Sequence, residues 1–250
     1  MVALGAGTSR AGAPRIRASD DAGHALPRGT WVTADAAERE VVLRGVGRVT
    51  LRPGARVQVR ELGTELARLY LERGAIEAHI SADARPRLFQ VDTRAGRCVD
   101  LGCRYVLTAT DDGGAHVRVI TGRVSFEAGA QDVDVPAGAA VTARPGRGPG
   151  TPRFGSAGPS LVDALDAFDA LRPGEAGRVQ AARSAAANVA SREDLLPLWH
   201  WLTDDDATVA RLALAALEGQ AGRPVGWVPP TTRPGPADRA AFLAHLDDAW

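Results

Sequence analysis

The chain has 250 residues, 45% of them hydrophobic, with a mean hydropathy of −0.12. This composition predicts a globular chain with one large domain or two modest ones, and no stretch is long and apolar enough to span a membrane. All 30 basic residues are arginine, balanced by 30 acidic residues, and the absence of a clustered basic face argues against nucleic-acid binding.

The charge is unevenly spread. Residues 1–159 hold 22 arginines against 17 acidic residues, and residues 160–250 hold 8 against 13. The split is that of two parts able to attract each other. The 28 glycines and 16 prolines exceed average usage, as turn-rich β structure or a disordered tail would require.

In chain order, MVALGAG is an apolar run that stops at Ser9-Arg10. It lacks the regions of a signal peptide and reads either as the tail of a membrane helix in a longer protein or as a plain N-terminus. Residues 1–28 lack periodicity and are expected to form a flexible leader. Strands are predicted from Gly29 onward, with Trp31 anchoring the first, followed by EVVLR (40–44), GRVTL (47–51) and ARVQV (55–59). Arg52-Pro53-Gly54 is a turn: proline presets φ and glycine supplies positive φ. ELARLYLE (65–72) fits a helix or a strand, and the flanking Gly63 and Gly74 favour a strand. AIEAHI (75–80) alternates as a further strand, and Asp111-Asp112-Gly113-Gly114 predicts a hairpin between VLTAT and HVRVI. Strands at this density imply a sandwich or irregular barrel over residues 29–145.

Residues 146–159, rich in proline and glycine, read as a linker without regular structure. Residues 160–250 are Ala/Leu-rich and predict helices in HEAT-like pairs. Ser160 is placed to cap SLVDALDAF, Asp194 to cap LLPLWHWL, and Asp204–Asp206 to cap the helix that Gly219 stops. Leu195, Leu198, Trp199 and Leu202 form one apolar stripe, and Val209, Leu212, Ala213, Ala216 and Leu217 another. A last helix is expected from Pro236 to Trp250.

A search for chemistry finds no nucleotide-binding loop and no nucleophile elbow. The five histidines form no ligand pair. His79 and His116, on separate predicted strands, would need further ligands to build a cupin-like metal site. Cys98 and Cys103 lie five apart. On one strand they would point to opposite faces, so buried free thiols are expected rather than a disulfide. Asp111-Asp112 reads as a hairpin tip, not as catalytic carboxylates. Catalytic, cofactor-binding and metal-binding residues are therefore all expected to be absent, and the protein is read as not an enzyme. The candidate partner-binding residues are Trp201 and Trp31. Trp201 lies off its helix stripe, where it would pack between the two parts or mark a partner surface.

The order of six phrases resembles the FecR-domain family: LRPGARVQV (51–59), ERGAIEAHI (72–80), RLFQVDT (87–93), VDLGCRYVL (99–107), VRVITGRVSF (117–126) and VPAGAAVTA (135–143). The family's usual Gly-Thr-aromatic phrase is replaced here by Gly102-Cys103-Arg104-Tyr105. The resemblance implies an all-β extracytoplasmic module of an anti-sigma-type regulator, followed here by a helical extension. It further implies a periplasmic or extracytoplasmic location, a protein partner in the envelope, an indirect link to a sigma factor through a missing N-terminal segment, and a membrane tether in the full-length product. Two alternatives stay open: an envelope glycan- or peptidoglycan-binding module, and a cupin-like metal-binding barrel.

Overall fold

The structure, a computed structural model, describes residues 15–246. The predicted strand series is present as β1 (Ala18–Asp20), β2 (Trp31–Thr33), β3 (Arg39–Leu43), β4 (Gly47–Leu51), β5 (Arg56–Leu62) and β6 (Ala67–Ile80). It continues as β7 (Phe89–Asp92), β8 (Arg97–Asp100), β9 (Arg104–Ala109), β10 (Ala115–Thr121), β11 (Arg123–Ala128), β12 (Gln131–Pro136) and β13 (Ala139–Arg144). Two short strands, β14 (Gly148–Pro149) and β15 (Arg153–Phe154), end the series. The helices are α1 (Pro159–Asp169), α2 (Arg178–Ala187), α3 (Leu196–Trp201), α4 (Ala207–Ala221) and α5 (Pro236–Leu246), with a 3-10 turn at Glu193–Leu195. The expected fold class, a β sandwich or irregular barrel followed by a small helical part, is the one observed.

The strands form one continuous, nearly closed sheet with a buried core. Alternation decides which face of each strand is inside: in β10, Ala115, Val117 and Val119 are buried while His116 and Arg118 face out. β6 organises the sheet. The two strands expected at 65–72 and 75–80 are one 14-residue strand that passes through Gly74. Its first half pairs with β5 and, in parallel, with β7; its second half pairs with β4 and β9. Gly74 has φ +78°, and a Cβ there would lie 2.6 Å from the Ala55 Cα. Glycine bends the strand at this point where a side chain would collide, so the residue expected to end a strand lets it continue between two sheet halves.

Two further expectations are corrected. Within the expected leader, residues 1–14 lie outside the described residues, but β1 pairs with β3, and Ile16 and Leu26 are in the core. Burial of these scattered apolar side chains outweighs the lack of periodicity. Within the expected linker, β14 and β15 both pair with β13, and Phe154 is buried. Proline is tolerated there because an edge strand leaves one backbone side unpaired. The expected buried free thiols are present, although Cys98 lies on β8 and Cys103 just before β9 rather than on one strand.

The helix ends differ in detail. α1 starts at Pro159 after Gly158, leaving Ser160 inside the first turn with no capping bond. Asp194 caps backward, accepting from the Ala190 and Ser191 amides at 3.0 and 2.9 Å. Asp206 caps α4 through the Thr208 and Val209 amides, and the helix runs past Gly219 to stop at Gly222. Both stripes face the core, but α3 has no polar face: all six of its residues are buried. It lies between α4 on one side and β15 on the other.

Candidate interaction site at the seam between strands and helices

The two ends of the sheet, β12 and β14, approach each other without pairing, and the helices pack over this seam. α3 supplies the contact. His200 Nε2 donates to the Asp134 carbonyl on β12 at 2.8 Å, and its Nδ1 accepts from Arg239 Nη2 at 3.3 Å. This pair of bonds defines a neutral imidazole. Burial, with the Arg239 charge beside it, holds His200 well below the ordinary histidine range. Arg239 stacks on the Trp199 ring at 4.1 Å and reaches Asp134 Oδ2 at 3.4 Å.

A second contact joins the segment after β14 to α1 and α3. Asp169 accepts from the Thr151 amide at 2.8 Å and from the Thr151 hydroxyl at 2.6 Å. Trp201 Nε1 donates to the same hydroxyl oxygen at 3.2 Å. Burial pushes the Asp169 carboxyl above its ordinary value despite these bonds. Deeper in the helical part, Arg178 and Asp204 meet through two hydrogen bonds of 2.8 and 2.7 Å, with the guanidinium over the Phe168 ring. Between these contacts and the strand ends lies a cleft of about 1150 Å³.

The sequence-predicted residues are distributed as follows. Trp201 is 3% exposed, packs on Phe168 of α1 with ring centroids 4.2 Å apart and donates to Thr151 in the segment after β14, so it is buried between helix and segment rather than facing outward. Trp31 is 37% exposed on the outer face of β2, edge-on to Tyr70, with Arg56 over its ring at 4.1 Å. His79 and His116 face outward on β6 and β10; His79 pairs across to Arg104, and His116 lies between Thr108 and Thr142. They do not share an inner pocket, and among the described residues no group of three His, Cys, Asp or Glu could hold a metal ion. Charge complementarity between the parts is seen in Arg153 on β15 with Asp166 on α1, while Arg239 with Asp134 runs in the opposite sense.

Thr151, Asp169, Arg178 and Arg239 form no motif in the sequence, and Asp204 is legible there only as a helix cap. Their pairings span 18 to 105 positions. The only local signal was the triple aspartate, of which Asp206 caps a helix and Asp204 takes the buried arginine.

Residues 29–125, from just before β2 into β11, match the family model for FecR protein. The resemblance expected from the six phrases is thus met over most of its length, and the match ends within β11. Two crystal structures of a candidate anti-sigma factor from Parabacteroides distasonis ATCC 8503 are similar, each at a TM-score of 0.44 and 19% identity. Each likeness covers 55% of this chain and 64% or 65% of the other, so this chain spans less than two thirds of those proteins. No curated protein matches.

Proposed function

We propose that this chain is a non-enzymatic sensor and interaction module of a sigma-factor regulatory system, acting by protein–protein contact on the extracytoplasmic side of a membrane. The observation that carries this reading is the FecR match over residues 29–125. On this reading residues 29–145 form the signalling unit, 146–159 join it to the helices, and 160–250 form a helical unit docked on the sheet seam. A membrane-tethered upstream segment would pass the signal to the sigma factor.

The surface supports contact with a protein more than with a sugar. The two aromatic rings at the sheet surface each already carry an arginine on one face, Arg56 over Trp31 and Arg60 over the half-buried Tyr70 at 4.8 Å. Deleting the gene and measuring genome-wide transcription tests the regulatory role. The expected result is altered expression of one sigma-dependent gene set; an unchanged transcriptome under envelope stress overturns it. An alkaline phosphatase fusion to the C-terminus of the natural gene product tests the compartment, with active phosphatase expected.

A further inference from the structure

We infer that the cleft at the sheet seam is a docking site for an extended acidic peptide segment of a partner protein. The inference rests on the protein-contact reading above and names where that contact falls and what chemistry it takes.

Charge is the first ground. Of the arginines lining the cleft, Arg153 pairs with Asp166, Arg178 with Asp204 and Arg239 with Asp134. Arg147 reaches the Ala170 carbonyl at the end of α1. Arg94, Arg144 and Arg172 remain, all exposed and without a carboxylate within salt-bridge distance among the described residues. They come from the β7–β8 turn, the end of β13 and the loop after α1, and all three line the same opening. Of the five lining carboxylates, Asp166 and Asp204 are each committed to an arginine of the cleft, Asp205 lies 3.8 Å from Arg233, and burial raises Asp169 toward its neutral form, which leaves the Asp132 carboxylate against the three unpaired arginines. The opening therefore favours an anionic guest.

Backbone geometry is the second ground. Leu101 N donates to the Arg123 carbonyl, so odd-numbered residues of β11 bond toward β8 and even-numbered ones toward β12. On β12 this turns the backbone groups of Asp132 and Asp134 away from β11. His200 occupies the Asp134 carbonyl. The Asp132 N–H and C=O face the cleft side with no backbone partner among the described residues. An unpaired strand edge recognises an extended main chain, and flanking charges select its side chains.

Size is the third. At about 1150 Å³ the cleft exceeds the roughly 300–1000 Å³ of small-molecule sites. Its floor is preformed by the buried Thr151, Arg178, His200 and Trp201.

The test is fluorescence anisotropy on the full chain with a labelled peptide of four Glu-Val repeats, and a Lys-Val peptide as comparator. We expect the Glu-Val peptide to bind and the Lys-Val peptide not to. Arg94→Glu/Arg144→Glu/Arg172→Glu should weaken binding at least tenfold, and Arg60→Glu/Arg73→Glu/Arg118→Glu, outside the cleft, should change it less than twofold. Asp132→Pro, which removes the edge N–H and leaves the β11 bonds, should weaken it at least threefold. Thermal melts of all variants exclude unfolding. Equal weakening by both charge reversals, no Glu-Val binding, or full displacement by millimolar pyrophosphate overturns the site, the last marking it as a small-anion pocket. The two readings fail separately: absent peptide binding with an intact transcriptional response removes the cleft alone, and a silent transcriptome with intact binding removes the regulatory role alone.

Discussion

The His200 imidazole on α3 donates through Nε2 to the Asp134 carbonyl on the open edge of β12, 2.8 Å away. This single bond covers a strand edge with a helix and ties the two parts of the chain across 66 positions. His200→Phe leaves that partly buried carbonyl without its donor, and a loss of about 1–2 kcal/mol is expected. Urea unfolding measures it, and hydrogen exchange should rise first in β12 and α3. Acid acts in the same direction. The folded state takes up the His200 proton well below the ordinary value of 6.5, so from 6.5 downward the unfolded state binds more protons and stability falls. The variant should show a flatter profile over that range.

Arg178 and Asp204 form a paired charge with side chains only 7% and 11% exposed. Asp204→Ala strands a buried guanidinium and should cost about 3–5 kcal/mol, whereas Arg178→Met/Asp204→Leu should recover most of that loss. Denaturant midpoints of Arg178→Met, Asp204→Leu and their double variant give the coupling; additive losses would show that the pair does not act as a unit.

Asp169 titrates with the opposite sign to His200. Its folded carboxyl holds a proton above the ordinary value of 3.8, so its contribution is full below 3.8 and is lost as pH rises through the folded value. Relative to Asp169→Asn, the wild-type protein should therefore lose stability as pH climbs from 3.8. Paired thermal melts across the acid range read the difference.

Cys98 and Cys103 should be inert toward Ellman's reagent in the native protein and release two equivalents in denaturant. Burial pushes both thiols far above the ordinary value of 9.0, and the Asp100 charge adds to this at each; Cys103 Sγ also donates to Asp100 Oδ1 at 2.6 Å. Rapid reaction of either thiol without denaturant would contradict the buried cluster.

Gly122 sits at φ +76°, and a Cβ there would lie 2.2 Å from the Gly102 carbonyl oxygen. Gly122→Ala combines a left-handed backbone with a backbone collision and should cost about 2–5 kcal/mol. A shifted urea midpoint checks it, and Gly129→Ala, where a Cβ meets nothing within 4 Å, gives the cost of the backbone alone.

Much of this protein is legible in its sequence because side-chain alternation and turn chemistry are local. Val57 and Val59 against Gln58 and Arg60 mark the inner and outer faces of β5 without reference to any other strand. Pro53-Gly54 and Asp112-Gly113 place their turns, Asp206 caps its helix, and the phrase order points to the FecR domain. What the tertiary structure alone decides is whatever depends on a second element. Gly74 reads as a terminator until Ala55 is seen pressed against it, when it becomes the point where one strand serves two sheet halves. The segment 146–159 reads as coil until β13 offers it an edge. α3 reads as amphipathic, yet it is buried all round because neighbours pack on both sides. Periodicity reports which face of an element is apolar. The choice among Asp204, Asp205 and Asp206 of a partner for Arg178 is made by distance in three dimensions, on which local spacing is silent.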